Sequence, residues 1–129
     1  MPRVEFITIE RLLEMKANKD KFKLVEVLSE EDYKDGHIPG AINIPLEKLE
    51  TLASKHLSKT DTVIVYCASY SCHASTKATQ KLLDMGYTKT QDFKAGKRGW
   101  THAGLELEKI IADPHLTQSE SLISNNQLE

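Results

Sequence analysis

Short runs of apolar residues alternate with amphipathic stretches along most of the chain. Runs that predict β-strands lie at residues 5–7, 22–27, 41–44, 62–66 and 88–93, where β-branched and aromatic residues are frequent. Between these runs, apolar residues recur at steps of three and four, which is the spacing of one face of a helix. Strands that alternate with helices pair in parallel and carry helices on both faces of their sheet. The pattern therefore predicts an α/β fold.

Residues typical of helix ends support this assignment. Thr8 and Ser29 are good N-caps, and each is followed by acidic residues in the first turn, where the helix dipole favours negative charge. Asp35-Gly36 predicts an early end of the second helix, and Gly86 predicts the end of the helix that starts near Ala74. Local signals alone thus delimit several of the elements.

The most informative stretch is residues 62–75, in which an apolar run ends at Cys67 and a small polar loop leads into the helix near Ala74. The carboxyl ends of parallel strands are where ligands bind in open α/β sheets. The N–H groups of such a loop and the positive end of a helix dipole favour an anion, which would lower the pKa of a thiol there. We therefore interpret Cys67 as a nucleophile. The alternative is that Cys67 only fills space in the core, as free cysteines usually do.

Composition and charge argue against several classes of partner. The 129 residues carry a formal net charge of −2, and no run of Lys or Arg stands apart from acidic neighbours. We therefore expect no nucleic-acid partner and no membrane partner, since no apolar stretch reaches the length of a membrane span. Two cysteines five positions apart do not make a secreted disulfide framework, so we expect a cytoplasmic protein with reduced thiols.

The length of the chain is that of one domain. We expect this domain at residues 1–112, followed by a polar C-terminal tail at residues 113–129 that is poorly ordered. The final Leu128-Glu129 is typical of residues left by an expression vector, so the fold argument excludes them.

Three segments, taken together, resemble the sequence signatures of rhodanese domains. The first is residues 24–45, with the Gly-His-Ile-Pro-Gly run that begins at Gly36; the second is the strand and loop around Cys67; the third is residues 96–105. The resemblance covers the chain from about Phe6 to Leu107. It implies a single rhodanese-like domain with a parallel sheet of about five strands and helices on both faces.

The resemblance also implies sulfurtransferase activity, of the kind that moves sulfur from thiosulfate to cyanide. In this family, the cysteine at the position of Cys67 attacks a sulfur donor and keeps the outer sulfur atom as a persulfide. It then passes that sulfur to cyanide, a thiol or another acceptor. The expected partners are therefore a small sulfur donor and a thiol or cyanide acceptor, while a protein acceptor stays open. No cofactor is expected.

The loop after Cys67 departs from the family pattern, because residues 67–75 contain no Lys or Arg. Many single-domain rhodaneses have an arginine five residues after the cysteine, where this chain has Cys72. The thiosulfate dianion would need such a guanidinium, so polysulfide or a persulfide is the expected donor. The other loop residues are expected to surround the anion: Ala68, Ser69, Tyr70, Ser71 and His73.

Cys72 is a candidate resolving thiol. If the loop folds back, Cys72 could displace sulfide from a persulfide on Cys67, or form a disulfide that protects an oxidised Cys67. The alternative is that Cys72 is a small residue packed at the start of the following helix. The sequence alone does not favour either interpretation over the other.

Two other functions fit the same fold. A rhodanese module without catalytic activity could act in binding or redox regulation; the missing loop arginine favours this alternative, and the retained Cys67 argues against it. Phosphatases and arsenate reductases of this fold have an arginine six residues after the cysteine. This chain has His73 there, which lacks the guanidinium fork that stabilises transition-state charge.

Several other polar residues are expected to be structural. Glu26 and Leu28 stand where the family often has Asp and Arg, so we expect no ion pair there. Lys97 and Arg98 are expected to form a solvated turn, and His37 to hold the backbone of its own turn. No histidine has enough partners at metal-ligand spacing, so no metal site is expected.

Overall fold

The computed structural model describes residues 3–110, and the expected tail at residues 113–129 lies outside this part of the chain. The helices are α1 (Ile9–Ala17), α2 (Glu30–Asp35), α3 (Leu49–His56), α4 (Ala74–Asp84) and α5 (Gly96–His102). The strands are β1 (Lys23–Glu26), β2 (Ile42–Asn43), β3 (Val63–Tyr66) and β4 (Thr90–Phe93). A 3₁₀ turn at Leu46–Lys48 leads directly into α3.

The strands form one parallel sheet in the order β2-β1-β3-β4. This confirms the predicted α/β fold, except that the expected first strand is reduced to a single bridge between Phe6 and Asp92. The chain enters α1 directly afterwards, and the Phe6 side chain is left exposed. The register pairs Glu26 with Tyr66 and Tyr66 with Phe93, so the carboxyl ends of β1, β3 and β4 meet at one edge of the sheet.

Side-chain and glycine signals set the ends of the helices as predicted. The Thr8 hydroxyl accepts a hydrogen bond from the N–H of Arg11 at 3.1 Å, and the Ser29 hydroxyl accepts one from the N–H of Asp32 at 3.1 Å. Gly86 follows α4 with a φ of +100°, a conformation that residues with a Cβ atom rarely adopt. These contacts also fix where the loops between helices and strands start.

Helices cover both faces of the sheet, because alternate residues of each strand point to opposite faces. On one face, Val25, Val65 and Cys67 belong to a core with α3 and α4. On the other face, Ile64 and Tyr66 belong to a core with α1 and α5. Cys67 therefore lies on the same face of the sheet as α4, the helix that follows its loop. Within residues 3–110, no helix combines the length and the apolar character needed to cross a membrane.

Candidate active site

Cys67 lies directly after β3 at the carboxyl edge of the sheet, and it is fully buried. Its carbonyl oxygen accepts a hydrogen bond from the N–H of Lys97 at 3.0 Å, and the Ala68 carbonyl oxygen accepts one from Arg98 at 2.9 Å. This close approach requires Gly96, whose φ is +62° and where a Cβ atom would lie 2.4 Å from the Cys67 carbonyl oxygen. The start of α5 thus holds the backbone that carries the thiol.

The loop after Cys67 folds back, so the two cysteines lie together. The N–H of Cys72 donates to the Ser69 carbonyl oxygen at 3.0 Å, which closes a tight turn. The Cys67 thiol donates to the Cys72 carbonyl oxygen at 3.4 Å, and the two thiol groups also interact with each other. Both cysteines are free; Cys67 is buried and Cys72 is partly exposed.

The two thiols differ in how easily they ionise, and the pKa of Cys67 is shifted in the opposite direction to the one predicted from the sequence. Burial raises the pKa of Cys67, and the neighbouring Cys72 thiol raises it further. Burial also acts to raise the pKa of Cys72, but a hydrogen bond from the Cys67 thiol opposes it. The N–H groups of Ala68 and Ala74 and the charge of Lys94 act in the same sense, so the pKa of Cys72 is lowered. The predicted low pKa of Cys67 was wrong, because this thiol is buried and lies beside a second thiol that raises its pKa further.

The start of α4 nevertheless offers groups that would stabilise an anion on Cys67. The hydroxyl and the backbone N–H of Ser75 both face this thiol, and both act to lower its pKa. The Ser75 hydroxyl is buried, and within residues 3–110 it has no partner at full hydrogen-bond geometry. A larger sulfur anion on Cys67 could supply the missing partner.

A lysine from the neighbouring strand end reaches the loop. Lys94 follows β4, and its ammonium donates to the Cys72 carbonyl oxygen and to the Thr76 hydroxyl, each at 3.2 Å. Thr76 in turn donates to the buried carboxylate of Asp92 at 2.7 Å. These contacts hold a positive charge beside a loop that has no Lys or Arg of its own.

The other residues of the predicted loop lie around the two thiols rather than on them. The hydroxyls of Ser69 and Ser71 are hydrogen-bonded to each other at 3.0 Å. Ala68 and Tyr70 are exposed, and His73 is exposed at the N-cap of α4 without a capping hydrogen bond. The side chains of these residues therefore form the outer wall of the site, while the groups that face the Cys67 thiol come from Cys72 and from Ser75 of α4.

Two clefts border this wall, and Tyr70 lines both of them. The smaller cleft, of about 380 Å³, lies between the loop and α5, which contributes Arg98 and His102. The larger, of about 530 Å³, lies between Tyr70, Lys94 and the residues around the start of α1. Arg98, which the sequence placed in a solvated turn, therefore lines a cleft next to the loop that follows Cys67.

The expectation that no ion pair forms at Glu26 was wrong. Glu26 is fully buried at the end of β1, and its Oε2 atom lies 3.0 Å from the ammonium of Lys97. The hydroxyl of Tyr66 donates to the Oε1 atom at 2.7 Å. Lys97 thus turns inward from α5 and supplies the cation that Leu28 does not. Of the two basic residues in the predicted turn, only Arg98 is exposed.

His37, which lies away from the two thiols, makes the contacts of a structural residue. The ring of His37 is buried and stacks on Tyr33 with centroids 4.0 Å apart, and its Nδ1 atom lies 3.0 Å from the Tyr33 carbonyl oxygen. Backbone hydrogen bonds join His37 to Glu108 in both directions, at 2.8 and 2.9 Å. Among the described residues, no three His, Cys, Asp or Glu side chains come together as a metal site would require.

Known proteins are similar to this chain in sequence and in fold. A family model described as the rhodanese-like domain matches residues 8–103. The chain belongs to the rhodanese-like domain family. It is 33% identical over 95 residues to thiosulfate sulfurtransferase 16, chloroplastic, of Arabidopsis thaliana, a match that covers 64% of this chain and 77% of that protein.

A second relative and a solved structure extend the comparison. The rhodanese-like chain is 33% identical over 86 residues to the HTH-type transcriptional regulator Rv0324 of Mycobacterium tuberculosis, covering 67% of this chain and 37% of the regulator. The crystal structure of the BH2092 protein from Bacillus halodurans matches with a TM-score of 0.74 and 27% identity, and each chain is covered to 90%. The relatives of this chain thus include a protein named as a sulfurtransferase and one named as a regulator.

Three important positions of this rhodanese-like domain were missed from the sequence: Ser75, Lys94 and Gly96. Lys94 could have been found, because parallel pairing of β3 with β4 places the residues that follow the two strands side by side. Ser75 gives no such signal, since its contact with Cys67 depends on the direction in which α4 leaves the loop. Gly96 stands out only once the backbone of Cys67 is seen against α5.

We expect Cys72 to react with iodoacetamide faster than Cys67 at neutral pH. Cys72 is partly exposed and its pKa is lowered, whereas burial raises the pKa of Cys67. The rate at Cys72 should fall as the pH drops through its pKa. Proteolysis after Lys59 and Lys77 gives a peptide, residues 60–77, with both cysteines, whose fragmentation assigns each label. Faster labelling of Cys67 in the folded protein would contradict the assignment.

Proposed function

We propose that this rhodanese-like domain transfers sulfane sulfur through a persulfide on Cys67. The proposal is carried by one observation: the Cys67 thiol follows β3 and faces the N–H and hydroxyl groups of Ser75 at the start of α4. A persulfide is an anion at neutral pH, and N–H groups at a helix start stabilise an anion without a charged side chain. The buried hydroxyl of Ser75, which has no partner at full hydrogen-bond geometry within residues 3–110, is a further donor for the persulfide.

The proton of the Cys67 thiol has an acceptor within the site. Cys72 lies beside Cys67 and its pKa is lowered while that of Cys67 is raised, so the Cys72 thiolate is the base that takes the Cys67 proton before the attack. The Cys67 thiolate then attacks the terminal sulfur of the donor, a new S–S bond forms, and the donor leaves one sulfur atom shorter. Attack by cyanide or a thiol on the outer sulfur breaks this bond and returns the Cys67 thiolate.

We propose a linear polysulfide or a small persulfide as the donor, in preference to thiosulfate. Thiosulfate carries two charges and is held best by a guanidinium fork close to the reacting sulfur. Residues 67–75 contain no cation, and the ammonium of Lys94 is engaged by the Cys72 carbonyl oxygen and Thr76. A slender chain of sulfur atoms also suits a thiol that is fully buried.

Replacing Arg98 by alanine is expected to lower kcat/KM for thiosulfate about tenfold, because a hydrogen bond to a charged group contributes about 1.5–3 kcal/mol. Arg98 is the cation of the cleft beside the loop that thiosulfate would use. The loss with a persulfide donor should be smaller. Arg98→Lys keeps the charge, and Arg11→Ala removes an exposed arginine that pairs with Glu14 on α1. Equal losses with both donors would show that Arg98 does not select between them.

We also propose that the domain acts in the cytoplasm. The sequence has two cysteines five positions apart, Cys67 and Cys72, which do not make the disulfide framework of a secreted domain. The same compartment supplies small thiols and protein thiols, which are the proposed acceptors of the sulfur.

The test is sulfur transfer to cyanide, with thiosulfate and polysulfide offered separately. It is carried out on the wild type, on Cys67→Ser and on Cys72→Ser, each shown to be folded by its urea unfolding curve. The wild type should turn over, and Cys67→Ser should not. Turnover that is lost only in Cys72→Ser would assign the nucleophile to the other thiol.

A binding or regulatory module is the second candidate, and the burial of Cys67 favours it. A covered thiol with a raised pKa reacts slowly, and one relative is named as a transcriptional regulator. The same assay separates the two functions. No turnover with either donor, from a folded protein with both thiols reduced, would favour the module.

A further inference from the structure

We propose a second activity for the same site: the Cys67–Cys72 pair reduces the sulfur it has accepted and releases it as hydrosulfide. This proposal rests on the Cys67 persulfide proposed above. Cys72 attacks the sulfur atom of Cys67, and the chain is left with a Cys67–Cys72 disulfide. The substrate is inorganic polysulfide or a small persulfide, and the reductant that restores both thiols is a dithiol.

The fold of the loop brings the two sulfur atoms together. The hydrogen bond from the N–H of Cys72 to the Ser69 carbonyl oxygen, at 3.0 Å, closes the turn that returns the chain towards Cys67. The Cys67 thiol lies 3.4 Å from the carbonyl oxygen of Cys72 and also interacts with its thiol. The two thiols are therefore already neighbours across one short, largely polar loop, as a disulfide between them requires.

The burial of Cys67 favours an acceptor that belongs to the chain itself. A thiol from outside has to enter the site to reach a persulfide on Cys67, because that residue is fully buried. Cys72 is part of the loop and packs against the same core as Cys67. It therefore meets the persulfide without having to enter the site from outside.

Cys72 also has the surroundings of a nucleophile. Burial opposes its ionisation, but the Cys67 thiol, the N–H groups of Ala68 and Ala74 and the ammonium of Lys94 together lower its pKa. Lys94 is held in place through its hydrogen bonds to the loop carbonyl and Thr76. A cation is thus kept beside the thiol that would attack.

The step balances without an outside oxidant. The proton of the Cys72 thiol passes to the outer sulfur of the persulfide anion, Cys67–S–S⁻, and the Cys72 thiolate attacks the inner sulfur. A bond forms between the two Sγ atoms, and the bond to the outer sulfur breaks. The outer sulfur leaves as HS⁻ with its proton and the electron pair of the broken bond. It is reduced from sulfane sulfur to sulfide, while the two cysteines are oxidised to a disulfide. A dithiol then reduces this disulfide by two exchange steps and becomes a disulfide itself.

The test is a single turnover with inorganic polysulfide in the absence of reductant. The proteins are the reduced wild type, Cys67→Ser, and both Cys72→Ser and Cys72→Ala, in case one replacement unfolds the loop. Three quantities are measured: hydrosulfide released above the Cys67→Ser background, free thiols that remain, and the mass of the peptide of residues 60–77. Since the chain has two cysteines, the thiol titration reports on this pair alone.

The expected result separates the wild type from the Cys72 variants. The wild type should release about one equivalent of hydrosulfide per chain, lose both titratable thiols, and yield a peptide lighter by two hydrogen atoms. With a polysulfide of three or more sulfur atoms, whose remainder after one transfer is a shorter polysulfide and not hydrosulfide, the Cys72 variants should release none above background. They should hold one extra sulfur atom on Cys67. A wild type that also keeps the extra sulfur and a free Cys72 thiol would overturn this proposal and leave the sulfurtransferase standing. If neither the wild type nor the Cys72 variants take up sulfur, the Cys67 persulfide itself fails, and this activity fails with it.

Discussion

Replacing Lys97 by methionine is expected to destabilise the domain by about 3–5 kcal/mol at neutral pH, the range observed when one partner of a buried ion pair is removed. Lys97 is 3.0 Å from the Oε2 atom of Glu26, which is fully buried, and Oε2 has no other hydrogen-bond partner within residues 3–110. Methionine fills a similar volume, so the loss reports chiefly on the uncompensated carboxylate. Urea unfolding at equilibrium measures it.

The pH dependence of the same variant identifies the cause. Burial already raises the pKa of Glu26 above its ordinary value of 4.5, and Lys97 is one of the groups that hold it down. A carboxyl whose pKa is higher in the folded protein stabilises the fold fully below its unfolded pKa, and that contribution is lost as the pH rises through the folded value. The Lys97→Met variant should therefore approach the wild type near the unfolded pKa and fall away from it as the pH rises.

A matched control is provided by Lys81, whose ammonium lies 3.3 Å from Glu50 on the surface. Lys81→Met removes a lysine from an exposed pair and is expected to cost only about 0–1 kcal/mol, with little dependence on pH. If Lys97→Met costs no more than Lys81→Met at neutral pH, the buried ion pair does not contribute as proposed.

Replacing Gly96 by alanine is expected to cost about 2–5 kcal/mol, which combines left-handed backbone strain with overpacking. The φ of Gly96 is +62°, and its Cβ atom would lie 2.4 Å from the Cys67 carbonyl oxygen and 2.9 Å from the Ala68 carbonyl carbon. Both are backbone atoms, so either β3 or α5 must shift. Because the shift begins at Cys67, sulfur uptake should fall along with stability.

Gly104 separates the two contributions to this loss. Its φ is +84°, and a Cβ atom there would meet nothing within 4 Å. Gly104→Ala should therefore show the strain alone, about 1–2 kcal/mol, and leave sulfur uptake as it is in the wild type. Unfolding curves and the cyanide assay on both variants make the comparison. Equal losses of stability and activity at the two glycines would mean that the contact between Gly96 and Cys67 is unimportant.

The elements that the sequence predicted well are those set by nearby residues. Thr8 and Ser29 cap helices through bonds to residues three positions ahead, and Gly86 ends α4 through its own backbone angle. The predicted first strand at residues 5–7 is only a single bridge. Its length depends on pairing with β4, which is distant in the sequence, so no local pattern records it. Phe6 makes its single bridge there and then the chain turns into α1.

The positions of the two thiols were visible in the sequence, but their ionisation was not. A strand that ends in Cys67 before a loop and a helix is visible in the sequence, and so is the second thiol at Cys72. The ionisation of the two thiols depends on which of them is buried, and this is a property of the folded chain.

Lys97 shows the same limit of sequence reasoning. Its neighbours are Gly96, Arg98 and Gly99, a composition that is typical of a solvated turn. Its partner Glu26 is far away along the chain. The two meet only because α5 packs over the carboxyl end of β1. Neither residue alone, nor its immediate neighbours, contains that information.

The most direct measurement of the central claim is the mass of the peptide of residues 60–77 from Cys72→Ser after treatment with polysulfide. In this variant Cys67 is the one cysteine left in the chain, so the position of any bound sulfur is unambiguous. A peptide that is heavier by one sulfur atom, and that loses this sulfur to cyanide, is the predicted result. An unchanged mass from a folded variant whose Cys67 thiol is reduced would contradict the persulfide, and with it the sulfurtransferase.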